Sequence, residues 1–472
     1  MIKVTDAKIQ KKIDQVYAHK QEHIFRFWDA LNETQQNRLI SQVGLIDFNL
    51  LSQLIELASD RERYLKKEFK LEPAEFISLQ ERKERDISAR AVGEEHLKAG
   101  KVAAFLVAGG QGTRLGFSKT KGMYPITPVK KKSLFQLHAE KLRAMERRYN
   151  TQIPWFIMTS QTNNKETSNF FEENNHFGYN AENISFIVQD MIPAIDRQGK
   201  LILDAIDHIF TNPNGHGGSL KALWESGALE SMRKKGVETI FYFQVDNVLT
   251  RICDPIYIGY HVLAQSDMSN KVVRKKYPEE KMGILCKIDG KLGLMEYSDL
   301  TKEDMYATNN DGSLKYWAGN IATHIISVDF VESENITGFK LPYHIAEKNI
   351  PYLDEQGKLI KSKEKNGIKF ETFVFDALLD ARKSVSLEVE RIKEFSPLKN
   401  KEGENSPQTV RRDLNNTYGK WLERAGYKVP RDEEGNVIQN IEISPLYALD
   451  EEELKGKSVQ YSADEMEVYL GL

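Results

Sequence analysis

Cysteine is nearly absent. The 472 residues contain two, Cys253 and Cys286, too few for a disulfide framework or a cysteine zinc site, and both sit in sequence that reads as intracellular fold. An excess of positive charge is missing as well. Lys and Arg number 66 against 69 Asp and Glu, a formal net charge of -3, so there is no overall basic field to hold a nucleic acid. No apolar run approaches a membrane span, and the stretch after Met1 soon turns Lys-, Gln- and Glu-rich without a signal-peptide core. A soluble, cytoplasmic protein without a membrane partner is the expectation. Internal repeats and low-complexity tracts are also lacking. What remains is 40% hydrophobic and 29% charged, the balance of a globular enzyme. The chain is too long for one ordinary core, so two or three packed units are expected.

Apolar periodicity divides the chain into three segments. Residues 1–99 read as helical: Ile24, Phe27, Trp28 and Leu31 recur at helical spacing, as do Leu39 and Val43, then Leu50, Leu54 and Leu57. Asp47 precedes one run as an N-cap, and these stripes are expected to pack on the next segment. The charged stretch Gln80 to Arg90 reads as a solvated helix face or connector. Residues 100–390 alternate strands with helices. Strands are expected at Val102 to Val107, Trp155 to Met158, Ile184 to Val188 and Thr239 to Val245, and helices at Leu134 to Arg148 and Ser219 to Lys235. That alternation predicts an α/β fold with a mostly parallel, doubly wound sheet, which binds ligands at the carboxyl ends of its strands. The Asp289-Gly290 pair between Ile284 to Ile288 and Leu292 to Tyr297 predicts an antiparallel hairpin. Residues 391–472 form a small C-terminal unit, with a helix near Thr409 to Ala425 and a hairpin near Asp432 to Gln439. His208 and His261 fall in helical patterns and read as ordinary residues.

The most informative stretch is Leu106-Val107-Ala108-Gly109-Gly110-Gln111-Gly112-Thr113-Arg114-Leu115-Gly116. Glycines let backbone approach a phosphate or base and aim several N–H groups at it. Arg114 adds a guanidinium fork and Lys121 a second cation. A Walker loop would end in Gly-Lys-Ser/Thr, which is absent. A dinucleotide fingerprint would need glycine where Leu115 stands, with Gly116 one residue late. The pattern left is that of a nucleotidyltransferase loop: strand, Gly-x-Gly-Thr-Arg, downstream lysine.

With this loop, the chain resembles the eukaryotic-type UDP-sugar pyrophosphorylases, most of all their UDP-N-acetylhexosamine branch. Ordered blocks carry the resemblance from Gln21-Glu22-His23 through Lys121-Gly122-Met123-Tyr124, Val245-Asp246-Asn247 and Gly319-Asn320-Ile321-Ala322 to Phe395-Ser396-Pro397-Leu398-Lys399-Asn400. It implies a nucleotidyltransferase type A, Rossmann-like mixed sheet, with an N-terminal helical domain and a small C-terminal α+β domain. It also implies UTP and a sugar 1-phosphate as substrates and UDP-sugar and pyrophosphate as products, and Mg²⁺, the chemically ordinary ion for UTP, is the expected cofactor. Val107, Ala108, Gly109, Gly110, Gln111, Gly112 and Thr113 would hold the nucleotide, with Gln189 and Gly215 at the uracil. Arg114 and Lys121 would bind the departing phosphates, and Asp246 would lie near the metal and ribose. Gly283, Glu296, Tyr297 and Asn320 would line the sugar pocket, and His216 would face the sugar. Phe373 and Phe375 fit an apolar sugar wall and plain core equally. Lys369 and Lys399 would reach the sugar phosphate and α-phosphate, and the C-terminal unit that begins near Lys399 could close over them.

Two positions depart from the pattern. Thr120 stands where proline commonly precedes the loop lysine, and His216 stands where the N-acetylhexosamine branch usually has asparagine. Gly215-His216-Gly217 is closer to UDP-glucose and broad-range UDP-sugar pyrophosphorylases, which form the alternative reading. A non-catalytic UDP-sugar binding protein is a third, against which the retained charges Arg114, Lys121, Asp246 and Lys399 count.

Overall fold

The computed structural model describes residues 2–60 and 69–471, so part of the expected 1–99 helical segment lies outside the described residues. The chain forms two compact units. The larger comprises Lys70–Val188, Ser219–Lys340 and Phe375–Leu472; the smaller comprises Met1–Phe69, Gln189–Gly218 and Leu341–Val374. These units cut across the three consecutive segments read from the sequence, because the chain returns twice to the smaller unit.

The larger unit is built on a ten-stranded mixed sheet. Its strands are β1 (Leu71–Pro73), β2 (Val102–Val107), β3 (Trp155–Ser160), β4 (Ile184–Gln189), β5 (Thr239–Gln244), β6 (Met268–Arg274), β7 (Ile284–Ile288), β8 (Lys291–Met295), β9 (Ala318–Ser327) and β10 (Ser384–Glu388). The main order is β1-β7-β9-β5-β2-β3-β4, with β8 on β7, β6 on β9 and β10 on β6. Strands β2, β3 and β5 run parallel as expected. Strand β9 is antiparallel to both β5 and β6, which makes the sheet mixed. All six residues of β2 are buried, as a strand covered on both faces requires. The hairpin forms where the Asp-Gly pair placed it: Asp289 and Gly290 both have positive φ, +50° and +84°, and β7 pairs with β8 in register.

Helices α1 (Leu79–Lys98), α2 (Leu134–Tyr149), α3 (Pro255–Leu263) and α4 (Pro407–Arg424) belong to this unit. The expected helix at Ser219 to Lys235 is instead two, Gly218–Glu225 and Ala228–Lys234, broken where Gly227 takes φ +74°. Gln80 to Arg90 is the start of α1, with Arg82 and Ala89 buried and Ile87 exposed. Helices α1 and α3 cross at glycines. A Cβ on Gly259 would lie 1.7 Å from the Ala89 carbonyl oxygen, and one on Gly93 would lie 1.8 Å from that of Pro255. Gly259→Ala should therefore force the helices apart and destabilise the protein by about 1–3 kcal/mol, measured as a lower urea midpoint with unchanged slope.

The C-terminal residues share the core of the sheet. Val410, Leu414, Ile441 and Leu470 join Leu106, Trp155 and Phe243 in one buried cluster. The hairpin expected at Asp432 to Gln439 reduces to one bridge, Arg431 to Val437, because the next residues leave to form Asn440–Ile443, parallel to Glu467–Leu470.

In the smaller unit, helices Ala7–Ala18, Glu33–Val43 and Phe48–Ser59 surround a core of Ile24, Leu39, Val43, Leu51 and Leu54 with Ile192, Leu201 and Ile209. Asp47 caps its helix by accepting from the Asn49 and Leu50 amides. The Ile24–Leu31 stripe is not an α-helix but two 3-10 turns, Glu22–Phe25 and Trp28–Ala30. Tertiary bonds override the periodicity there: His23 bonds the Leu201 carbonyl and Arg26 donates to that of Leu353. His208 lies in a short strand rather than a helix and bonds Asp204 through Nδ1. Both cysteines are reduced and buried, and no helix among the described residues is long and apolar enough to cross a membrane.

Candidate active site

Parallel pairing of β2 with β5 sets the geometry of the larger unit's site. Val107 stands opposite Gln244, and the Val245 amide donates to the Val107 carbonyl at 3.1 Å. The glycine loop and Asp246 thus leave neighbouring strand ends. Ala108 is fixed from both sides: its amide donates to the Met158 carbonyl at 2.8 Å, and its carbonyl accepts from Asn163 Nδ2 at 2.9 Å. Beyond it the loop opens, with Gly110, Gln111, Thr113 and Arg114 exposed. Gly112 has no room for a side chain, since a Cβ would lie 2.8 Å from the Lys119 carbonyl oxygen. Thr120, the departure next to the loop lysine, is buried and gives both its amide and its hydroxyl to Glu166 Oε2, at 3.1 and 2.6 Å. A proline could supply neither bond. Glu166 therefore anchors the loop, although nothing local in the sequence points to it.

Lys121 and Asp246 meet at the centre. Lys121 Nζ lies 3.2 Å from Asp246 Oδ2, with side chains 13% and 16% exposed. Burial pushes the Asp246 carboxyl up, but the charges of Lys121, Lys399 and Arg114 more than offset it and hold it below the usual carboxylate range. Three cations from two distant stretches of sequence, the glycine loop and the segment around Lys399, therefore act on one carboxylate. Asn247, buried directly after Asp246, explains how Lys399 arrives there. Its Oδ1 accepts from the Ser396 amide at 3.0 Å and its Nδ2 donates to the Glu394 carbonyl at 2.7 Å. The Leu398 amide then donates to the Asp246 carbonyl at 2.9 Å. His138 adds a further brace, bonding the Val245 carbonyl at 2.9 Å. Complete burial pushes its pKa down to about 3, so it stays neutral and Nε2–H is the donor.

The same unit brings three of the expected sugar residues together. The Asn320 amide donates to the Gly283 carbonyl at 2.9 Å, and a Cβ on Gly283 would stand 3.1 Å from Glu296 Oε1. Small size at Gly283 is what leaves space beside that carboxylate. Tyr297 is exposed and Phe375 is buried.

In the smaller unit, Gly215 to Gly218 is stitched to Thr372. The Gly217 amide donates to the Thr372 carbonyl, and the Thr372 amide donates to that of Asn214, both at 2.8 Å. Gly215 has φ +86°, and a Cβ on it would lie 2.4 Å from the Thr372 carbonyl oxygen, so glycine is required twice over. His216 Nδ1 accepts from the Val374 amide at 3.2 Å, and its ring lies 5.3 Å from that of Phe373, which in turn lies 4.6 Å from that of His344. Burial, then the neighbouring His344, push His216 down to about 4. It is therefore neutral near pH 7, with its remaining ring N–H as a donor. Gln189 is buried and its Oε1 has no hydrogen-bond partner among the described residues. Lys369 stands 4.9 Å over the Phe210 ring, and burial lowers its pKa.

A glycine loop at parallel strand ends, with three cations around a strand-end carboxylate, defines a phosphate-handling α/β enzyme site. The chain belongs to the family described as UTP--glucose-1-phosphate uridylyltransferase, whose model matches residues 48–404. Among similar proteins, the UDP-N-acetylhexosamine pyrophosphorylase-like protein 1 of Homo sapiens is 36% identical over 482 residues, covering 95% of this chain and 92% of the human one. The UDP-N-acetylglucosamine pyrophosphorylase of Saccharomyces cerevisiae is 36% identical over 427 residues, covering 86% and 89%. The solved structure of the uridine diphosphate N-acetylglucosamine pyrophosphorylase of Trypanosoma brucei matches with a TM-score of 0.83 at 25% identity, covering 99% of each chain.

Proposed function

We propose that the protein is a uridylyltransferase that joins UTP to an N-acetylhexosamine 1-phosphate, releasing pyrophosphate. The observation that carries this reading is the convergence of Arg114, Lys121 and Lys399 on Asp246. The chemical obstacle is repulsion: an anionic sugar phosphate must approach the α-phosphorus of an anionic nucleotide in line. Positioning and charge neutralisation therefore do most of the catalysis, and no covalent enzyme intermediate is required. The nucleophile needs no general base, because a phosphate monoester with a second pKa of about 6 is already ionised at neutral pH.

Arg114 and Lys121 take the charge that develops on the leaving pyrophosphate, and Lys399 offsets charge at the α-phosphate. Glu296 accepts hydrogen bonds from sugar hydroxyls across Gly283. The unpartnered Gln189 Oε1 suits the imide N–H of uracil, and Lys369 carries charge for the sugar phosphate. Mg²⁺ is the expected metal, and Asp246 would hold it. Mg²⁺ usually takes one or two carboxylates together with phosphate oxygens and water. Among the described residues no cluster of three or more metal-ligating side chains occurs, so the donor set fits an ion that arrives with the nucleotide. Once bound, it supplies further neutralisation of the phosphates.

The test is stoichiometry. UTP with N-acetylglucosamine 1-phosphate and Mg²⁺ should yield UDP-sugar and pyrophosphate in equal amounts. Release of orthophosphate, or binding without product, would contradict the reading. The second reading, a UDP-glucose or broad-range enzyme, rests on His216. If the neutral His216 N–H admits sugars without the N-acetyl group, His216→Asn should lower kcat/KM for glucose 1-phosphate about tenfold relative to the N-acetyl substrate, the equivalent of one lost hydrogen bond. Parallel assays of both sugars on both proteins measure that ratio.

A further inference from the structure

Behind the turn that follows Asp246, the larger unit encloses a cavity of about 170 Å³ between Val248–Pro255 and the C-terminal residues. Tyr418, Trp421 and Leu414 of α4 line one side, and Lys141, Thr250 and Arg251 line the other. The carboxylates in its wall are already matched. Asp254 pairs with Lys271 at 2.9 Å, Asp450 with Arg148 at 2.6 Å, Glu452 with Arg90 at 3.4 Å, and Glu451 with Arg424.

Lys141 and Arg251 are different. Lys141 spends two donors on the Val248 and Thr250 carbonyls, at 2.5 and 2.9 Å, and has no carboxylate within ion-pair distance among the described residues. Arg251 has neither an ion pair nor a hydrogen bond among them; Asp254, then Glu394, Asp450 and Glu452, favour its charge from beyond ion-pair distance. The independent observation is Thr250, which is 1% exposed and whose Oγ1 has no partner among the described residues. Unpaired polar groups in an interior are costly unless something binds them. Water could take up the hydroxyl, but an anion would meet the hydroxyl and both cations at once.

We propose that this cavity binds a compact organic phosphate monoester, with its phosphate on Arg251, Lys141 and Thr250 and its apolar body against Trp421 and Tyr418. Three donors of different geometry suit the three oxygens of a phosphate better than the two of a carboxylate, and the aromatic pair supplies a flat apolar face. Val248 and Thr250 follow Asp246 closely in the chain, so a ligand here would brace the turn that carries the catalytic carboxylate.

Phenyl phosphate is the probe, titrated into the full chain with tryptophan fluorescence and calorimetry as readouts. Saturable binding is expected, weakened about tenfold or more in Arg251→Gln by loss of a charge-assisted contact, and weakened several-fold in Thr250→Val. The valine variant removes an unpartnered hydroxyl, so it should fold with an unfolding midpoint no lower than the parent. Trp421→Phe should abolish the fluorescence change while heat is still released. Lys121→Ala should bind phenyl phosphate as well as the parent, which separates this cavity from the catalytic phosphates. Benzoate should bind more weakly. Absence of saturation in the millimolar range, equal binding of phenyl phosphate by Thr250→Val and the parent, or loss of binding in Lys121→Ala overturns the proposal.

Discussion

Lys121→Ala should lower kcat by about a hundred- to a thousandfold, the range for removing one preorganised donor from a developing charge, while the protein remains folded. The lysine is anchored by its backbone, since its amide donates to the Gly110 carbonyl at 3.3 Å. The alanine variant should therefore keep the loop and lose only the ammonium. Two consequences separate this role from a structural one. The variant should retain its circular dichroism spectrum, and KM for the sugar phosphate should change less than kcat, because pyrophosphate charge develops in the transition state. Stability should respond to pH. Asp246 titrates lower in the folded protein than in the unfolded chain, so its contribution is complete above about pH 4, the unfolded value, and is lost as pH falls through the depressed folded value. Removing Lys121 should shrink that acid-labile contribution. Near-normal turnover in the variant would remove Lys121 from the site.

The largest effect on stability is expected from Lys271→Met. Lys271 is fully buried on β6, with its Nζ 2.9 Å from Asp254 and 2.5 Å from Glu394. Desolvation opposes the charge on Asp254, but Lys271 and then Arg251 outweigh it and hold its pKa well below the usual range. Deleting the cation leaves two buried carboxylates facing each other, a change that costs about 3–5 kcal/mol. The damage should reach the site, because the Glu394 carbonyl is the acceptor for Asn247. The deficit, measured by urea unfolding, should be greatest near neutral pH. It should narrow in acid, where protonation relieves the stranded pair. A loss below about 1 kcal/mol would show that the trio is not a stabilising unit.

Much of this was readable from the residues, for physical reasons. An all-apolar run ending in Ala-Gly-Gly can be little but a buried strand entering a ligand loop, and Val102–Val107 is that strand. Asp289-Gly290 demands positive φ, so its hairpin was determined locally. Asp246 directly follows one strand and Arg114 and Lys121 lie in the loop that leaves its parallel neighbour, so the sheet delivers them to one place. What was hidden depends on long-range contacts. The Glu166 anchor on Thr120, the Asn247 clasp on Ser396 and the His138 brace each join residues far apart in sequence. The Ile24–Leu31 turns misread as helix for the same reason, since their bonds go to Leu201 and Leu353. The compact units were also not legible, because Gln189–Gly218 and Leu341–Val374 look like continuations of the sheet segment but pack with the N-terminal helices.

The most direct measurement of the central claim is pyrophosphate release from UTP and Mg²⁺, with N-acetylglucosamine 1-phosphate, N-acetylgalactosamine 1-phosphate and glucose 1-phosphate compared side by side. The account predicts rapid release with the N-acetyl sugars and a lower kcat/KM for glucose 1-phosphate. Release with none of the three, from folded protein that still binds UTP, would contradict it.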